Sequence, residues 1–268
     1  MRRAWYRFFV ALAVSFSGGP FVWQIVTSLR PEGELARVGL PSTLSLASYK
    51  SAFEGRPLGR VLANSLVVAT TTTILCLAIA TLAGFAIAKI EFRGRKLLLV
   101  SSLAVSMFPP IATVAPLYLV LRELGLRDEL GGLVLAYTTF ALPLALWVMA
   151  GFLRDLPGEL YESAKIDGCT PLQALRFIFL PLLGPGLATT AILVFIFAYN
   201  EFLYALTFTS SPEKRTVPVA VSLLASGHAE PWGEIAAFST VAVVPVLAAA
   251  LLFQRHVVSG LTRGAVKG

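Results

Sequence analysis

Long stretches without a charged side chain alternate with short charged clusters along this chain. Residues 8–29, 61–88, 97–121, 130–153, 177–200 and 235–254 contain no Asp, Glu, Lys or Arg, and the shortest of these windows holds 20 residues. A helix rises 1.5 Å per residue, so about 20 apolar residues cross a hydrocarbon core of roughly 30 Å. All six windows reach that length. Ten-residue segments of alternating polarity, the mark of a membrane barrel, are absent. The pattern predicts an all-α membrane protein with six transmembrane helices.

The first window admits a second reading. Arg2, Arg3 and Arg7 followed by an apolar run resemble a signal peptide, with small residues at 15–19 as a cleavage site. The run continues through Trp23 to Leu29 and is long enough to span, which favours a retained helix. Of a twin-arginine export signal only the arginine pair is present.

Composition removes the alternatives to a membrane protein. Charged residues are 14% of the chain and apolar ones 56%, against roughly 25% charged in an average soluble domain. A soluble fold could not cover that much apolar surface, and a disordered chain needs the opposite balance. Two cysteines do not make a disulfide scaffold.

Basic residues set the expected orientation. With six spans, the N-terminus, the 89–96 loop, the 154–176 segment and the tail after 254 share one side and carry 13 Lys and Arg, against 9 on the other. The bias is sharpest in the short loop with Lys89, Arg93, Arg95 and Lys96. A multi-pass protein of the cell membrane with both termini cytoplasmic is expected. The net charge of +7 reads as a topology signal; no contiguous basic stripe suggests nucleic acid.

Between the fourth and fifth windows lies a cytoplasmic segment with its own helix punctuation, RDLPGELYESAKIDGCTPLQALR. Pro157 suits a first helical position, and Glu159 and Glu162 complement the positive end of the dipole. Gly168 suits the position just past a helix end. Thr170, Pro171 and Gln173 form a second start, an N-cap with proline at N1 and glutamine at N3. The signals predict a short helix over 157–167, then a helix from Pro171 into the fifth span. A bare loop needs fewer residues. A docking surface and an amphipathic helix resting on headgroups both account for such an element.

Glu162-Ser163-Ala164, then Gly168, then Ile178-Phe179-Leu180-Pro181 resembles the E-A-A signature of permease subunits in ATP-binding-cassette importers: E-A-A, three residues, G, nine residues, I-x-L-P. Every spacing matches; Ser163 replaces an alanine, and Cys169 stands where many members have alanine. The resemblance implies a type I importer permease fold in which this segment is the coupling helix, seated in a cleft of an ATPase subunit. Its coupling residues would be Glu162, Ser163, Ala164, Asp167 and Gly168, with Glu162 and Ala164 touching the ATPase and Gly168 making the turn. The implied organisation is an N-terminal span and external loop (1–60), a permease core (61–255) and a cytoplasmic tail (256–268). The stretch 199–224, with N-E-F-L-x-A-L and R-T-x-P-V, is similar to the smaller permease of maltose- and trehalose-type carbohydrate importers. Glycerol-phosphate and polyol importers share these softer features. The implied partners are a second permease, two ATPase subunits that bind ATP and Mg, and an extracytoplasmic substrate-binding protein.

The chain's own chemistry is sparse. No Walker A loop, H-E-x-x-H, G-x-S-x-G or metal-spaced cysteine pair occurs, so no catalytic or metal residue and no cofactor is expected in this chain. His228 and His256 fall at opposite faces, and Cys76 and Cys169 are not placed to pair. Ion-coupled carriers need ionisable groups near the midplane. Only Glu201, near the outer end of the fifth window, comes close, so the energy source lies in a partner. Asn200 and Tyr204, four residues apart, are expected on one helix face with Glu201 about 100° away. Amide, phenol and carboxylate suit sugar hydroxyls; an interfacial aromatic belt with a snorkelling carboxylate is the alternative, and for each residue taken singly it is favoured. An intramembrane lipid-modifying enzyme and a passive channel remain the readings from other classes.

Overall fold

The computed structural model describes residues 2–35, 39–54, 57–225 and 231–265, with side chains of the last helix as far as residue 254. Among the described residues there is no strand. The helices are α1 (Arg2–Ser28), α2 (Ala47–Phe53), α3 (Leu58–Lys89), α4 (Arg95–Ser106), α5 (Pro110–Glu123), α6 (Leu130–Asp155) and α7 (Glu159–Ile166). After them come α8 (Pro171–Ala174), α9 (Leu180–Leu182), α10 (Gly184–Tyr199), α11 (Leu203–Phe208), α12 (Val217–Ala225) and α13 (Trp232–Ala265). A π-helical turn, Leu175–Phe179, joins α8 to α9.

Four of the six windows form unbroken helices of spanning length, α1, α3, α6 and α13. The other two are bent. α4 and α5 meet at 98°, and the run Pro171–Leu182 meets α10 at 82°. The six expected spans are thus four unbroken helices and two bent pairs. At the first break Pro109 is extended (φ −58°, ψ 125°) and Pro110 opens α5. Two successive prolines remove two donors, and each disfavours helix in the residue before it. At the second, Pro185 sits in the first turn of α10 between Gly184 and Gly186. By contrast Pro20, Pro116, Pro143 and Pro245 lie inside continuous helices.

The fifth window ends differently from the expectation as well. α10 stops at Tyr199, and residues 200–202 are not helical before α11 begins. Asn200 and Tyr204 therefore do not share a face of one helix.

The chain divides into two compact units, residues 1–62 with 217–244, and residues 63–216 with 245–268. In the first, the Ser28 and Tyr49 hydroxyls bond at 2.8 Å, linking α1 to α2. Ser51 donates to Glu234 at 2.5 Å, and Phe53 meets Phe238 edge-on at 6.1 Å.

In the second unit, small residues let helices approach closely. A Cβ at Gly84 of α3 would lie 3.3 Å from the Ala150 backbone nitrogen of α6, and one at Gly186 of α10 would lie 2.8 Å from the Phe152 ring. Membrane helices gain little from the hydrophobic effect against each other, so close contact of this kind carries their association. At one end of this unit, Asp128 holds the 209–215 turn. Its carboxylate accepts from the Ser210 and Ser211 N–H groups at 2.7 and 3.1 Å and from the Ser211 hydroxyl at 2.5 Å. Lys214 pairs with Glu129 at 2.5 Å, and the Asn64 amide donates to the Glu213 and Arg215 carbonyls.

Candidate functional site

At the other end of α3, the expected cytoplasmic helix is present as α7. It starts at Glu159, two residues later than the sequence suggests. Leu156 precedes Pro157 and is extended (ψ 141°), so the helix waits until Gly158 has turned the chain. Its end is a Schellman motif. Cys169 N–H donates to the Ala164 carbonyl at 2.9 Å and Gly168 N–H to the Lys165 carbonyl at 3.1 Å, with Gly168 at φ +79°. The next helix begins one residue beyond Thr170, whose hydroxyl accepts from Gln173 N–H at 3.3 Å while the Gln173 side chain accepts from Thr170 N–H at 2.8 Å. Stop and restart are each hydrogen-bonded, so the turn between them is stiff.

α7 has two faces. Leu160, Tyr161 and Ala164 pack into the core of the second unit. Tyr161 forms one corner of an aromatic triangle: its ring lies 5.5 Å from Phe85 of α3 and 6.4 Å from Phe179 of the π-turn, and those two rings are 5.2 Å apart. Edge-to-face geometry of this kind adds to burial. The opposite face presents Glu162, Ser163, Ile166 and Asp167, all exposed. Glu162 pairs with Lys165 at 2.8 Å, and that carboxylate holds the Lys165 ammonium above its ordinary value.

Ala164, which the resemblance places against an ATPase, is 1% exposed and packs into the core of the second unit. Ile166, which sequence reasoning passed over, is 86% exposed. Its signal is its phase: it lies roughly 200° around the helix from Ala164, off the stripe of Leu160, Tyr161 and Ala164. The aromatic triangle had no sequence signal, because its corners are remote in the chain.

Of the three residues suggested for a pathway, Glu201 and Tyr204 are joined by a hydrogen bond, and Asn200 is tied elsewhere. Asn200 is exposed and its amide turns back to the Ile196 carbonyl at 2.8 Å. Glu201 caps α11, accepting from the N–H groups of Tyr204 and Ala205 at 3.0 and 3.2 Å. Tyr204 is buried, stacked on Phe140 at 4.8 Å, with its hydroxyl bonded to Thr113 at 2.8 Å. His228 and the side chain of His256 lie outside the described residues. Cys76 and Cys169 are free thiols. No cluster of three metal-ligating side chains occurs among the described residues.

Residues 77–263, which include α7 and both broken spans, match the family described as "Binding-protein-dependent transport system inner membrane component". The chain belongs to this family. The chain is similar to a trehalose transport system permease protein of Mycobacterium tuberculosis, 41% identical with 96% of this chain and 95% of that one covered. It is also similar to a trehalose/maltose transport system permease protein of Thermococcus litoralis, 40% identical with 93% and 91% covered. Its fold is shared with a chain in the crystal structure of a bacterial ABC transporter that imports the polysaccharide alginate: TM-score 0.79 at 19% identity, covering 93% of this chain and 94% of that chain. The six-window pattern, with two windows broken, is thus the fold of an importer permease.

Proposed function

We propose that this inner-membrane component forms half of the translocation pathway of an ATP-driven importer for a di- or oligosaccharide. The observation that carries the reading is the two-sided build of α7. One face is locked by Tyr161 to Phe85 and Phe179 on two different spans; the other offers Glu162, Ser163 and Ile166 to the aqueous side. A helix held by its aromatic face and by a stiff turn at its C-terminal end transmits displacement as a rigid body. ATP and Mg are bound by two partner ATPase subunits, whose closure moves α7 and swings the spans between inward- and outward-facing states. A second permease completes the pathway, and an extracytoplasmic binding protein delivers substrate. Both termini are cytoplasmic. The saccharide class is supported by the relatives named for trehalose and maltose. Asn200 and Glu201, at the break between α10 and α11, are the polar groups offered to substrate hydroxyls, while buried Tyr204 keeps the break in shape.

A specific observation favours one further substrate type, a glycoside of a polyol. A relative named for sulfoquinovosyl glycerol transport in Agrobacterium fabrum is 39% identical, with 97% of this chain and 93% of that one covered.

Glu162→Lys reverses the charge on the outward face, and Gly168→Pro demands φ near −65° where +79° is needed and removes a donated N–H. Both variants are expected to insert normally and to abolish ATP-dependent uptake in cells. Normal uptake by either would sink the docking role. Which solute raises the melting temperature of the accompanying binding protein names the substrate.

A further inference from the structure

Alongside the α7 groove, whose lining includes Lys89, Glu91, Tyr161 and Glu162, a second cleft opens where α3 and α6 end and α4 begins; the two share Ala88, Arg95 and Arg154. It has a volume of about 440 Å³ and is lined by Ile87, Ala88, Arg95, Lys96, Leu99, Val100 and Arg154. Small-molecule sites begin at roughly 300 Å³. Three of the seven lining residues are cations and none is an acid. The remainder are apolar, and Ile87 and Leu99 are packed with Ala150 into a firm floor.

The cations are unevenly occupied. Arg95 donates to the Ile90 carbonyl at 3.3 Å and lies 3.9 Å from Glu91. Lys96 and Arg154 are exposed and have no hydrogen bond or ion pair among the described residues. Arg95 and Lys96 stand in the first turn of α4, where positive charge opposes the helix dipole. Helix stability therefore does not explain why they are there. Val100 lines the cleft and is largely exposed, as is Leu97 on the same helix. An apolar path thus leads from the cations along α4 toward the bilayer interior.

We infer that this cleft binds the headgroup of an anionic phospholipid, with Lys96 and Arg154 on its phosphate and an acyl chain along Val100. A diester phosphate flanked by hydrocarbon matches both halves of the lining. A free phosphate ion would satisfy the cations and leave the apolar wall unused. The assignment rests on the proposed orientation only for naming the cytoplasmic leaflet. Basic recesses between helix ends at a membrane face are suited to such lipids, and each Lys or Arg near the surface contributes about a fivefold preference for them.

The test uses the full chain, purified with whatever subunits accompany it and equilibrated with an equimolar mixture of phosphatidylcholine and phosphatidylglycerol before bound lipid is quantified. The wild type should retain phosphatidylglycerol preferentially. Lys96→Gln and Arg154→Gln should each lower that preference about fivefold. Arg93→Gln removes an equal charge from the same loop but lies outside the cleft, and should leave it unchanged. An equal loss with Arg93→Gln would show diffuse attraction to the leaflet and overturn the site. So would full retention in the Lys96 and Arg154 variants. Equal stabilisation of the protein by inorganic phosphate would overturn the lipid assignment in favour of a free anion. Unchanged helicity in phosphatidylcholine alone confirms that each variant is folded. The assay needs neither sugar nor ATP, so its failure and the failure of the transport reading are separable.

Discussion

Tyr161 and Asp128 show how single side chains tie distant parts of the second unit. Tyr161 joins α7 to α3 and to the π-turn through ring contacts. Tyr161→Ala removes a buried aromatic and is expected to cost about 3 kcal/mol, while Tyr161→Phe keeps the triangle. In reconstituted transporter, Tyr161→Ala should retain ATP hydrolysis while uptake per ATP falls, and Tyr161→Phe should behave as wild type. Equal coupling ratios in all three would show that the rings do not transmit movement. Asp128 makes a pH prediction. Partial burial opposes its charge, but the Ser211 hydroxyl, the Ser210 and Ser211 N–H groups and Lys214 outweigh that and hold its carboxyl below the ordinary 3.8. A depressed folded value means the stabilisation is complete above the unfolded value and is lost as pH falls through the folded one. Protection of the Ser210 and Ser211 amides from hydrogen exchange, relative to Asp128→Asn, should persist from neutral pH down to about 4 and vanish below it. A loss already at pH 6 would contradict the assignment.

Among the helices, charge-free length was readable for every span, because bilayer thickness dictates it. The breaks were not. The prolines inside the windows look alike in sequence, yet Pro20, Pro116, Pro143 and Pro245 sit in continuous helices, while Pro109 with Pro110, and Pro185 between two glycines, bend the chain. What separates them is context: one missing N–H is absorbed by neighbours, whereas a doublet or flanking glycines remove the helix's reason to continue. The same limit undid the shared face of Asn200 and Tyr204, since a three-residue interruption resets helical phase. Caps were legible because their chemistry is local. Gly168 and the Thr170–Gln173 box were found at their sequence positions. At this scale Gly186 makes the sharpest prediction. Its missing Cβ is filled by Phe152 of α6 at 2.8 Å, so Gly186→Leu must push α10 away. A stability loss of about 1–3 kcal/mol is expected in detergent unfolding. Removing the opposing ring, as in Gly186→Leu with Phe152→Ala, should recover part of it.

Across the second unit as a whole, the two ends of α3 carry different chemistry. Asn64, near its start, holds the 213–215 turn, and Lys89, at its end, lies beside the α7 groove. Twenty-five residues separate them, about 38 Å at 1.5 Å per residue. That exceeds a hydrocarbon core of roughly 30 Å, so α3 is long enough to put the clasped turn and α7 on opposite faces of a membrane. Orientation is then one binary choice, and the proposed placement of α7 on the cytoplasmic side is the one that the basic loop at 89–96 favours. Cysteines placed singly at Glu213 and Arg93, both exposed, test it in a background with Cys169 replaced, buried Cys76 being left in place. A membrane-impermeant maleimide should label Glu213→Cys in intact cells and Arg93→Cys only after permeabilisation. The reverse pattern would put the docking helix outside, where no ATP is available, and would remove the energy source that the transport reading requires. Labelling of both in intact cells would mean that α3 does not span the membrane, and the separation of docking from delivery would fail with it.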